Sequence, residues 1–197
     1  CAEPELPLFP EEEHYTLMEW KRITTPLDNA LIESLRCGDP CLITGRILTA
    51  RDKAHDRIRQ MLAEDEPLPF VLKGELLYYV GPTPAKEGMV IGAAGPTTSS
   101  RMDPFSEMVL SLGVKGMMGK GKRDQNTREL LVKHKAVYFS SIGGAGAYLN
   151  KRIKSSRVLA FEDMGPEAVF ELYVEDFPAV VAIDIYGEDL YENRIQQ

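Results

Sequence analysis

Positive charge is what this 197-residue sequence has least to spare: 23 Lys and Arg face 30 Asp and Glu, a net charge of -7. That sign argues against nonspecific nucleic-acid binding, which rests on neutralised phosphates. Long apolar runs are missing as well. None approaches the roughly 20 residues of a membrane-spanning helix. The N-terminus lacks the basic segment and apolar core of a secretory signal. Cysteine is scarce. Cys1, Cys37 and Cys41 form an odd set without framework spacing, which excludes a disulfide scaffold and fits a reducing cytoplasm. Three thiols are enough in number for an iron–sulfur cluster. Yet Cys37 and Cys41 flank the turn Gly38-Asp39-Pro40, and Cys1 sits in a polar tail. They are expected to be small buried hydrophobes, and no metal site is expected on this chain.

What is present is an ordinary apolar fraction, 44%, and a recurring strand–turn–helix pattern. Residues 1–17 are rich in Pro and Glu and show no periodicity, so they are expected to be a disordered or loosely attached leader to a domain over 18–197. A short strand is expected at 20–25. A helix follows at 26–35, with Leu27, Leu31, Ile32 and Leu35 on one face. Residues 41–49 read as a strand that ends in Thr49-Ala50-Arg51-Asp52. Asp52 would cap the next helix, and Ala54, Ile58, Met61 and Leu62 fall at helical spacing. His55 lies in its first turn. Two short strands, 71–72 and 76–80, could make a hairpin around Lys73-Gly74-Glu75.

The central stretch is Gly95-Pro96-Thr97-Thr98-Ser99-Ser100-Arg101-Met102-Asp103. An apolar run at 89–94, read as a buried strand, leads in, and a helix at 105–112 leads out. That helix starts either with Asp103 as cap and Pro104 at its first position, or earlier with Thr97 as cap. A strand at 114–118 ends in Gly119-Lys120-Gly121-Lys122, and a helix at 126–134 follows. A strand at 136–140 ends in the turn around Gly143 and Gly144, and a helix to about 153 follows. A strand is expected at 158–161. Gly165-Pro166-Glu167 would start a helix carrying Val169, Phe170 and Tyr173, and the last strand lies within 177–185.

Such units imply an α/β fold, a mixed or parallel sheet with helices packed on it. Ligands gather at the carboxyl ends of such strands. Arg51, Thr97, Thr98, Arg101, Lys120 and the Gly143-Gly144 turn all fall there. Hydroxyls, free backbone N–H groups and guanidinium forks together suit a small polyanion, carboxylates most simply. The glycine turn matches neither the dinucleotide fingerprint nor a P-loop. No Ser–His–Asp order and no metal-ligand cluster accompanies the pocket.

Thr49-Ala50-Arg51-Asp52-Lys53-Ala54-His55, the Gly95–Asp103 stretch, Lys120-Gly121 and Gly143-Gly144-Ala145 follow the order and approximate spacing of a known family. From about residue 20 to 190 the chain resembles the β subunit, or C-terminal domain, of the class I iron–sulfur hydro-lyases, fumarase and L-tartrate dehydratase. The resemblance implies a swivelling β/β/α domain. It also implies a [4Fe–4S] cluster held by three cysteines on a separate α subunit, in an α2β2 assembly, with paired copies of this chain. The open iron would bind the substrate's hydroxyl and one carboxylate as a Lewis acid. Carried over by residue, Arg51, Arg101 and Lys120 match carboxylate-binding cations. Thr97 matches a threonine proposed to remove the C3 proton, Thr98 lies beside it, and Asp52 and His55 match orienting positions. Lys122 stands where fumarases commonly show Asn, and Ser99-Ser100 where smaller residues are frequent. The activity so implied is reversible hydration of fumarate to L-malate in the cytoplasm. The other readings are tartrate dehydration, or a noncatalytic anion-binding regulatory domain.

Overall fold

Strand β2 (Pro40–Thr49) organises the sheet, because three strands pair with it. β1 (Lys21–Thr24) and β3 (Leu76–Tyr78) run parallel to it, while β7 (Val169–Ile183) runs antiparallel. The computed structural model describes residues 19–83, 85, 88–141 and 146–193. The expected leader at 1–17 and the Gly143-Gly144 turn lie outside the described residues. β4 (Gly116–Gly119) and β5 (Val137–Ser141) extend the parallel set, and β5 pairs antiparallel with β7. Since β7 also pairs with β2, strands β2-β3-β4-β5-β7 close into a five-stranded barrel. β6 (Ile153–Ala160) is attached to β7 outside the ring, as β1 is to β2. The α/β class and the mixed sheet are as expected.

Alternation along the strands assigns residues to two cores. Leu76, Tyr78, Met118, Val137 and Phe139 join β2 and β7 residues such as Ile43, Ile47, Leu172 and Phe177 in one cluster. Their neighbours Leu77, Tyr79, Met117 and Tyr138 belong to the other. That second cluster is covered by α3 (Ser106–Ser111) and α4 (Gln125–His134), which supply Val109, Leu110, Leu130 and Leu131. α2 (Asp52–Ala63) follows β2 directly and buries Ala54, His55 and Ile58. α1 (Asn29–Ser34), α5 (Gly146–Asn150) and α6 (Leu190–Asn193) are short. Among the described residues no helix is long and apolar enough to cross a membrane.

Several expectations are corrected. The run 89–94 is not a strand. Met89 and Val90 are 46% and 48% exposed, while Ile91 and Ala94 reach the core. β3 already fills the slot between β2 and β4, and the run's backbone bonds go instead to Thr83, which exchanges them with Gly92 and Ala93 at 3.1 Å each. The 71–80 segment makes no hairpin, because β3 pairs parallel to both its neighbours. The helix expected after Gly165 is the first half of β7, preceded by a 3-10 turn at Glu162–Glu167. Val169, Phe170 and Tyr173 have helical spacing, but burial alternates with period two from Leu172 to Glu175, and the segment pairs with β2 and β6. Asp52 is not the cap of α2. Arg51 holds that position with no side-chain cap bond, and Asp52 is the first helical residue. Asp103 caps nothing either, since a 3-10 helix at Ser99–Phe105 starts after Thr98 and runs into α3.

Candidate active site

The carboxyl ends of β2, β3 and β4 bring the predicted residues to one rim. Arg51 leaves β2 in extended conformation, φ -129° and ψ -167°. Its carbonyl accepts two hydrogen bonds, from the His55 backbone N–H at 2.9 Å and from His55 Nδ1 at 2.8 Å. Nδ1 must therefore carry the proton, which leaves Nε2 as a bare acceptor. His55 is fully buried, its ring centroid 5.2 Å from that of Phe105 and 5.8 Å from that of Tyr79. Burial, only partly opposed by the bond to the Arg51 carbonyl, pushes its pKa down to about 4. His55 is thus a neutral donor to the turn that carries Arg51.

Arg101 reaches back across the rim to α2. Its Nε and Nη2 donate to the two oxygens of Asp52 at 3.2 and 2.6 Å, a bidentate pair. The Asp52 carboxylate also sits in the first turn of α2, where the helix dipole favours it. One edge of the Arg101 fork is engaged, and Nη1 is not part of that pair. Arg51 and Lys120 form no ion pair among the described residues. Arg51 Nε is buried and has no hydrogen-bond partner there.

Thr97 and Thr98 are fixed by backbone. Thr97 N–H donates to the Tyr79 carbonyl at 2.7 Å, and the Thr97 carbonyl accepts from Lys120 N–H at 3.2 Å. Ser99 N–H donates to the Lys120 carbonyl at 2.9 Å, so Thr98 and Lys120 lie side by side as a parallel bridge. The hydroxyl turn and the lysine turn are therefore one structure. Gly143 and Gly144 lie outside the described residues.

Beneath the rim is an assembly that the sequence did not reveal. The Arg123 side chain is completely buried and pairs through Nε with Asp103 Oδ1. It also donates to Ser106 Oγ at 2.9 Å, and its guanidinium lies over the rings of Tyr79 and Tyr138, 5.4 and 5.1 Å from their centroids. Asp103 Oδ2 accepts from Asp124 N–H at 3.0 Å. Tyr138 Oη is 2.8 Å from the Gly121 carbonyl and 3.0 Å from Ser99 Oγ. A cavity of about 430 Å3 lies beside the rim, lined by Pro82, Thr83, Ile91, Arg157 and Phe170 among others. None of the described site residues predicted from sequence lines it.

The family model described as "Fumarase C-terminus" matches residues 2–194. This chain belongs to the fumarase C-terminal family. Fumarate hydratase 2 of Leishmania major is 36% identical over 194 residues, covering 96% of this chain and 34% of the relative. The anaerobic class I fumarate hydratase of Escherichia coli is 34% identical over 157 residues, 79% of this chain and 29% of the relative. The putative L(+)-tartrate dehydratase subunit beta of Methanocaldococcus jannaschii is 36% identical over 167 residues, covering 82% of this chain and 86% of that subunit. This fumarase C-terminal chain thus spans about a third of the length of the fumarate hydratases it matches.

The two described thiols, Cys37 and Cys41, are not arranged as cluster ligands. Burial pushes Cys37 up to about 11 and Cys41 up to about 12, so both are protonated, unreactive thiols near neutral pH. Cys37 Sγ points at the Ala182 carbonyl and Cys41 Sγ at the Asp39 carbonyl. Among the described residues no group of three His, Cys, Asp or Glu side chains is placed to hold a metal ion.

Proposed function

We propose that this fumarase C-terminal domain is the dicarboxylate-gripping part of a hydro-lyase that reversibly hydrates fumarate to L-malate. A cluster-bearing α polypeptide would complete the enzyme, in an α2β2 assembly and a reducing cytoplasm. The supporting observation is the joining of the two arginine turns: Arg101 is clamped on Asp52, the residue next to Arg51. Charge matching agrees with it. The Arg101–Asp52 pair cancels itself, while Arg51 and Lys120 carry two positive charges unopposed by any ion pair among the described residues. Two carboxylates bring two negative charges.

In this reading Arg51 and Lys120 bind a substrate carboxylate, with Arg101 offering the edge that Asp52 leaves open. Removal of the C3 proton spreads negative charge onto the adjacent carboxylate, and these cations oppose that charge more strongly in the transition state than in the ground state. Thr97 is the residue assigned to take the proton, with Thr98 beside it. The backbone bonds to Tyr79 and Lys120 on either side support a fixed position for its main chain, from which the hydroxyl projects. Asp52 orients Arg101, and His55 orients Arg51.

The test is anaerobic fumarate hydration by this chain combined with its cluster-bearing partner. Wild-type enzyme should turn over, and Arg101→Ala should lose at least about 100-fold in kcat/KM with an unchanged melting temperature. Full activity in Arg101→Ala would remove the proposal. A second reading, L-tartrate dehydration, is favoured by the extent of the match to a tartrate dehydratase beta subunit. The ratio of kcat/KM for L-malate and L-tartrate on one preparation separates the two.

A further inference from the structure

We infer that Gly81 is the seat of the Arg51 guanidinium, a positioning residue whose missing side chain sets where that cation lies. The inference rests on the proposed role of Arg51 in carboxylate binding. Gly81 follows Val80 at the end of the β3 segment and precedes Pro82. A Cβ built on it would lie 1.9 Å from Arg51 Nη1, 2.9 Å from Cζ and 3.0 Å from Cδ. All three of its nearest neighbours are thus atoms of one side chain. The guanidinium lies on the bare Cα of Gly81, in the space where any other residue would begin.

Conformation does not demand glycine there. Gly81 is not among the positive-φ residues of the chain, and a following proline steers it towards extended backbone that alanine adopts without strain. What demands glycine is the arginine. Arg51 is positioned from two sides: its own backbone is held through the carbonyl by His55, and its side chain rests on Gly81. Its buried Nε has no partner among the described residues that would fix it otherwise. A second tight glycine, Gly119, makes the contrast. A Cβ there would meet Ser99 Oγ at 2.0 Å, the Tyr79 ring at 3.1 Å and the Thr97 carbonyl at 3.2 Å. Replacing Gly119 therefore disturbs backbone and buried ring together. At Gly81 the obstacle is the end of a flexible side chain, so the fold yields easily and the cost falls on the position of the cation.

The experiment is a double-mutant cycle in the completed enzyme between Gly81→Ala and Arg51→Ala, read by KM and kcat. Thermal melts and the Arg51 Nε–H resonance of this chain are recorded alongside. Gly81→Ala should raise KM by about tenfold or more, keep its melting temperature within about 2 °C of wild type, and shift the Nε–H resonance. Added to Arg51→Ala, it should change KM by less than about twofold, since the group it displaces is gone. An unshifted resonance would overturn the seat, and so, where Arg51→Ala itself raises KM, would a wild-type KM in Gly81→Ala or independent effects in the cycle. If the resonance shifts while Arg51→Ala itself keeps a wild-type KM, the seat stands and the carboxylate-binding role of Arg51 falls.

Discussion

At the residue scale, two side chains hold the arginines without belonging to the grip. Asp52 is the first. Its pair with Arg101 is accessible to solvent, the side chains being 29% and 49% exposed, so its share of folding stability is below about 1 kcal/mol. Its worth lies in geometry. Asp52→Ala should leave the urea midpoint nearly unchanged and raise the substrate KM about tenfold, because Arg101 loses its anchor. Asp52→Asn, which still accepts one N–H, should fall between, and steady-state kinetics beside urea titrations reads both. His55 is the second. Its folded pKa of about 4 lies below the ordinary value near 6.5. Between those values the unfolded chain binds more protons than the folded one, so stability rises with pH across that window. The contribution is fully present above about pH 6.5 and is lost as pH falls towards 4. A shift of this size corresponds to roughly 3 kcal/mol. Denaturant titrations from pH 4 to 7 should show this slope in wild type and a flatter profile in His55→Gln, after subtraction of the carboxylate background.

At the scale of elements, the buried Asp103–Arg123 pair joins the 3-10 helix carrying Arg101 to the turn after Lys120. Its side chains are 6% and 0% exposed. Removing one partner leaves a buried charge, so Arg123→Met should cost about 3–5 kcal/mol of unfolding free energy. Asp103→Leu combined with Arg123→Met should recover much of that loss, since both desolvated charges leave together; urea unfolding of the single and double variants measures it. Nothing local announces this pair. Its members lie 20 positions apart, and Asp103 before Pro104 resembles a helix cap. The arginine turns were legible because strand end, arginine and helix start are contiguous in sequence. β7 was not. Val169, Phe170 and Tyr173 fit helical spacing and strand alternation alike, and the choice was made by partners: β2, β5 and β6 each present an edge to it. The run 89–94 failed for the converse reason. Its apolarity is real, but the barrel closes without it. The Gly143-Gly144 turn, read as part of the pocket, lies outside the described residues.

At the scale of the whole molecule, the proposed function gives this chain one half of a reaction. The parallel ends of β2, β3 and β4 gather cations and hydroxyls. Of the two described cysteines Cys41 is buried and Cys37 half-buried, and desolvation pushes both thiols well up from their ordinary value. In the proposed division the cations here oppose the charge that builds on a carboxylate, while activation of the departing hydroxyl comes from the partner polypeptide, so the grip alone does not complete the reaction. Affinity and turnover should therefore separate between the chain alone and the completed enzyme. By calorimetry the isolated chain should bind L-malate only weakly, with binding falling as salt rises because Lys120 and Arg101 are solvent-exposed. It should hydrate no fumarate. Adding the cluster-bearing polypeptide should restore turnover, saturating at equal molar amounts. Arg51→Ala should then raise KM without preventing the two polypeptides from associating, as followed by sedimentation. Turnover by this chain alone, undiminished by an iron chelator, would place the whole reaction here and reverse the division of labour.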